Sequence, residues 1–122
     1  MNRAYVFVAV TVMLTVYGQL IIKWQAGRAG EFPDGTRDRL AYLGHFLANP
    51  WVISSFAAAF VAGLAWIAAL SRLDLSRAYP FVAAAFALVL VLSAIIFDES
   101  LTLPKIVGAA LIVAGLVIGS QG

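Results

Sequence analysis

Four long apolar runs, at about residues 4–22, 51–70, 78–97 and 104–120, occupy most of this chain. In helical form, about 20 apolar residues rise ~30 Å, the thickness of a bilayer's hydrocarbon core. The chain is 63% hydrophobic and 11% charged, whereas soluble domains carry about 45–50% apolar and about 25% charged residues. That leaves too little polar surface to wrap four such runs in water. In lipid the same runs are stable as helices, because a helix satisfies its backbone donors and acceptors internally. The expected fold is an all-α membrane protein, a four-transmembrane-helix bundle forming a single domain over residues 1–122.

The first run is longer than the apolar core of a secretory signal, and no small-residue cleavage site follows it. It closes on Lys23 and Trp24, a cation and an aromatic suited to the membrane boundary, and is read as a retained helix. Residues 25–49 are polar. Gly27, Gly30, Pro33 and Gly35 mark the first half as loop. In the second half Leu40, Leu43 and Leu47 recur at helical spacing beside Tyr42 and Phe46. Residues 37–48 therefore read either as a short amphipathic helix on the membrane surface or as an ordered loop with aromatic anchors. Asn49 and Pro50 suit the N-cap and first position of the second membrane helix. The connection at 71–77 is short enough only for a turn between antiparallel neighbours.

Several functions are excluded. The eight Lys and Arg residues flank the apolar runs instead of forming a basic face, so nucleic acid is not an expected partner. There is no Cys and one His, His45, so neither thiolate chemistry nor a metal site is expected, and no cofactor. The apolar runs hold no nucleophile–base pair, phosphate-cradling glycine loop or carboxylate pair, so the chain does not read as an enzyme. Arg3, Arg72 and Arg77 lie on one side, and Lys23, Arg28, Arg37, Arg39 and Lys105 on the other. This weak bias formally places the N-terminus outside.

Polar groups inside an apolar helix mark functional positions. Thr11, Thr15, Gln19 and Lys23 recur every four residues along the first helix, with Tyr17 and Gly18 beside them. They suggest one wall of a polar cavity. The competing reading has the hydroxyls bonded to backbone and Lys23 snorkelling, but it leaves the Gln19 amide without partners in lipid. Arg77 and Tyr79 open the third helix, where Pro80 removes a backbone donor. Asp98 and Glu99 end it and read as water-facing. Gly108, Gly115 and Gly119 give the fourth helix a small-residue face. Four helices enclose little space, so this face is expected to serve a dimer interface.

These residues resemble the drug/metabolite transporter superfamily. The run Gly18-Gln19-Leu-Ile-Ile-Lys23-Trp-Gln25-Ala26 and the Ala78-Tyr79-Pro80 opening carry the resemblance. Asp98-Glu99 leading through Pro104 to Gly108 and Gly115 is compatible with it. Among four-helix members the chain is most similar to the paired small subunits of the 4-amino-4-deoxy-L-arabinose-phosphoundecaprenol flippase. It is more distantly similar to the small multidrug resistance exporters. Those exporters depend on a membrane glutamate in the first helix, where this chain has Thr15. The resemblance also suggests an inside N-terminus, against the charge bias. It implies a multi-pass protein of the bacterial inner membrane that flips a polyprenyl-phosphate-linked sugar, as a homodimer or as a heterodimer with a similar subunit. Tyr17, Gln19 and Tyr79 would hydrogen-bond the sugar, and Lys23 or Arg77 would pair with the phosphate. The alternatives are a cation exporter and a non-transporting scaffold for a glycosyltransferase.

Overall fold

The computed structural model describes residues 2–119 and 121. Ser120, where the sequence places the end of the fourth apolar run, lies outside the described residues. The chain forms α1 (Asn2–Ala29), α2 (Thr36–Leu47), α3 (Pro50–Leu70), α4 (Leu75–Val82), α5 (Ala84–Ile96) and α6 (Leu103–Gly119). No strand occurs among the described residues.

The first helix continues beyond its apolar run to Ala29 and takes in Gly27, which the sequence assigns to the loop, because residues 23–29 hold no proline and a single glycine costs a helix only about 1 kcal/mol. Gly30 ends it in the left-handed conformation, at φ 88°, with its N–H bonded to the Ala26 carbonyl at 3.2 Å. A glycine in this position is a common helix terminator. The turn at 30–35 folds back onto α2. There the Tyr42 hydroxyl donates to the Gly30 carbonyl and Arg39 Nε to the Pro33 carbonyl, both at 2.8 Å. No residue of α2 is buried, and Leu40, Leu43 and Leu47 stay exposed, as on a helix lying at a lipid surface. Asn49 caps α3 by accepting the Trp51 N–H, and Pro50 fills the first turn.

The third apolar run is divided at Ala83, shortly after Pro80. Ala83 N–H bonds to the Pro80 carbonyl and Phe86 N–H to the Ala83 carbonyl. These tighter three-residue steps fit a helix that has lost the Pro80 donor. Together α4 and α5 still form one apolar span, Leu75–Ile96. Arg3–Ala29, Pro50–Leu70 and Leu75–Ile96 are long and apolar enough to cross a membrane, and Leu103–Gly119 is a shorter apolar helix. The result is an all-helical membrane bundle. At ~1.5 Å per residue α6 falls a few Å short of the ~30 Å core, a mismatch that a bilayer accommodates by local thinning.

Apolar burial does not drive helices together in lipid; small residues and close packing do. The α1–α3 pair follows this rule. α3 buries Val52, Ser55, Ala58, Ala62, Ala65 and Ala69 along one stripe, where Ala69 packs with Val8 and the Ala62 carbonyl accepts from Thr11. Gly18 is buried in the seam, where an added Cβ would lie 3.4 Å from the Ser55 carbonyl oxygen. α4 and α5 cover the other flank of α1 through Ala78 and Ala85, packed near Val8 and near Val12 and Val16. α6 packs on α4 and α5 and buries no residue.

Candidate functional site

A groove of about 430 Å³ runs along the α1–α3 seam. α1 lines it with Thr11, Leu14, Thr15, Gly18, Gln19 and Ile22. α3 contributes Ser55, Phe56, Ala59, Ala62, Gly63 and Trp66, and α4 closes one end with Tyr79 and Val82. Gln19, Phe56, Ala59, Gly63 and Tyr79 are all exposed, so the groove is open at its side. Its walls are mostly apolar, and hydroxyls and one amide supply its polarity. No carboxylate, amine, guanidinium or imidazole lines it.

Four of the sequence-derived site residues meet in this groove: Thr11, Thr15, Gln19 and Tyr79. Their roles differ. The Thr11 hydroxyl is taken up by packing, shared between the Phe7 carbonyl at 2.9 Å and the Ala62 carbonyl at 3.3 Å. Thr15 and Gln19 present polar groups to the groove. Tyr79 stands edge-on to Trp66, ring centroids 6.3 Å apart, which fixes the groove's end.

The other three lie elsewhere. The Tyr17 hydroxyl is 2.9 Å from Ser54 Oγ. Ser54 already donates to the Trp51 carbonyl at 2.6 Å, so Tyr17 is the donor. Lys23 is exposed and its Nζ lies 3.5 Å from Glu99 Oε2, in the link between α5 and α6. The spacing explains the departure: each step of four residues advances about 40° around a helix, so Lys23 stands about 120° from Thr11. Arg77 is exposed in the first turn of α4 and does not line the groove. The α6 glycines stand clear, with nothing within 4 Å of an added Cβ at Gly108, Gly115 or Gly119.

Sequence pattern gives no site role to two groove residues, Ser55 and Trp66, nor to Gln25, which appears there only as part of the family-like run Gly18–Ala26. Ser55 looks like one more small residue among alanines. Gln25 falls seven residues after Gly18, and that spacing returns it to the seam. It is 5% exposed, although its chemistry resembles that of the loop beside it.

The EamA-like transporter family model matches residues 4–120. The probable 4-amino-4-deoxy-L-arabinose-phosphoundecaprenol flippase subunit ArnF of Pseudomonas aeruginosa (strain LESB58) is 32% identical over 109 residues, covering 88% of this chain and 77% of that one. The protein of the same name from Serratia proteamaculans (strain 568) is 32% identical over 124 residues, covering 98% and 94%. The probable subunit ArnE of the same flippase from Aeromonas hydrophila is 42% identical over 74 residues, covering 60% and 65%. No solved structure matches.

Proposed function

The chain belongs to the EamA-like transporter family, and on that premise we propose that it is one small subunit of a flippase that moves a polyprenyl-phosphate-linked sugar of the aminoarabinose type across the membrane. It is a multi-pass protein of the bacterial inner membrane. Its relatives are named as probable flippase subunits.

The observation that carries the reading is the groove's chemistry. A sugar headgroup needs neutral hydrogen-bonding partners, and Thr15 and Gln19 on α1 with Tyr79 at the groove's end supply hydroxyls and an amide. The open side lets a polyprenyl tail stay in lipid while the headgroup travels. All six acids, Glu31, Asp34, Asp38, Asp74, Asp98 and Glu99, lie outside the apolar runs. A cation exporter would need a carboxylate in the groove, where this chain has Thr15. The relatives carry two subunit names, which supports pairing with a second small subunit.

The test is mass spectrometry of lipids extracted from the purified protein, followed by flipping assays in proteoliposomes with its partner. A co-purifying polyprenyl phosphate sugar is the expected result. Gln19→Leu should impair selection among sugars more than lipid affinity. A protein that carries no polyprenyl lipid and flips none would overturn the reading.

A further inference from the structure

Beyond Ile22 the α1–α3 seam opens into a second cavity of about 430 Å³, lined by Gln25, Arg28, Ala29, Phe46, Asn49, Pro50 and Trp51. Hydrogen bonding fixes the amides here one after another. Asn49 Oδ1 accepts the Trp51 N–H at 2.8 Å in capping α3. Its other arm, Nδ2, therefore points away and donates to Gln25 Oε1 at 2.9 Å. That bond places the Gln25 nitrogen at the free end. The residue is 5% exposed, and Nε2 is buried with no hydrogen-bond partner. An unpaired buried donor is unfavourable, and native proteins retain few of them.

The cavity's other strong donor is Arg28. Its guanidinium rests 5.8 Å from the centre of the Trp24 ring. Trp24 is itself held edge-on to Trp51, centroids 5.3 Å apart. No carboxylate lines the cavity, and both amide oxygens already accept hydrogen bonds. An occupant must therefore bring acceptors and negative charge. A guanidinium beside an amide NH₂ suits the several oxygens of a phosphate.

Position favours the same occupant. α1 has 28 residues, and at ~1.5 Å each it outreaches the ~30 Å hydrocarbon core. Its last turn therefore stands at headgroup level, where Trp24 and Trp51 suit the interface. The cavity continues the groove's own line. Thr11, Thr15, Gly18 and Ile22 face the groove, and Gln25 and Ala29 follow at the same alternation of four and three. Arg28 lies about 14 Å along the helix axis from Gln19.

We infer that Gln25 and Arg28, positioned by Asn49 and the two tryptophans, form a seat for the phosphate of an anionic ester at the membrane boundary. Assigning that phosphate to a polyprenyl lipid rests on the cargo proposed above; the seat itself does not.

The test is titration of the purified protein with undecaprenyl phosphate in detergent, followed by tryptophan fluorescence, since Trp51 lines the cavity. Undecaprenol, inorganic phosphate and phosphatidylglycerol are titrated in parallel. Gln25→Glu keeps an oxygen for Asn49 but exchanges the free NH₂ for a negatively charged acceptor. Arg28→Ala removes an exposed guanidinium with little threat to folding, and Arg28→Lys keeps the charge without the fork. Undecaprenyl phosphate should bind far more tightly than undecaprenol. Gln25→Glu and Arg28→Ala should each weaken it about tenfold or more, with Arg28→Lys between them and wild type. Unchanged affinity in folded Arg28→Ala and Gln25→Glu overturns the seat and leaves the cargo reading standing. Equal binding of undecaprenol and undecaprenyl phosphate also overturns it. If inorganic phosphate or phosphatidylglycerol binds as tightly as undecaprenyl phosphate, with the same loss in the variants, the seat stands and the polyprenyl cargo falls.

Discussion

Lys23 Nζ lies 3.5 Å from Glu99 Oε2 and ties the end of α1 to the link that enters α6. Glu99 reaches this position through Asp98, which adopts φ 55°, a left-handed conformation that Asp tolerates better than most residues. Phe97 N–H and Glu99 N–H both turn back to the Ser93 carbonyl there. The acid that reads from sequence as water-facing is thus a partner for the cation at the far end of the polar stripe.

This pair sets the first prediction. Both side chains are about half exposed, at 58% and 40%, and such surface pairs contribute about 0–1 kcal/mol. A double-mutant cycle of Lys23→Ala and Glu99→Gln, read by thermal unfolding in detergent, should give a coupling within that range. Lys23→Ala should also leave undecaprenyl phosphate affinity within about threefold of wild type, well short of the loss in Arg28→Ala. If Lys23→Ala shows the larger loss, the phosphate belongs at Lys23.

The second prediction concerns the α1–α3 seam. Ser55 is 1% exposed, and its hydroxyl donates to the Val52 carbonyl of its own helix at 2.7 Å. Ser55→Ala should therefore change stability by less than about 1 kcal/mol. Ser55→Leu must force the helices apart and should destabilise by about 1–3 kcal/mol. It should also narrow the groove and reduce flipping. A Ser55→Leu protein as stable and active as wild type would mean that the helices do not pack as described.

Third, α6 should govern association more than folding. Gly108, Gly115 and Gly119 have open space around them within the chain. Gly115→Leu with Gly119→Leu should leave helix content and melting unchanged, yet shift the oligomer toward single subunits in sedimentation. An unaltered oligomer would place the subunit interface on another face.

Fourth, transport should not depend on a titrating acid within the membrane. The six acids all lie outside the apolar runs. Adding tetraphenylphosphonium to purified protein in weak buffer should release no stoichiometric protons near neutral pH. A clear release would favour the cation exporter.

Run length and the scarcity of charge settle the solvent and the class before any packing is known. Runs as long as a bilayer is thick, with so few charges between them, admit only membrane helices, because an unpaired backbone group in lipid is too unfavourable for other open structures. The sequence also exposed Thr15 and Gln19, since a polar group inside an apolar run has no reason of its own to be there. The tertiary structure decided which polar residues work together. A four-residue stripe drifts around a helix, whereas alternating steps of three and four stay on one seam, so Lys23 left the groove and Gln25 stayed in line with it. No rule of spacing could join Gln25 to Asn49 or Lys23 to Glu99. Each pair is distant in sequence and meets only because α1 packs beside α3 and the α5–α6 link turns back at Asp98.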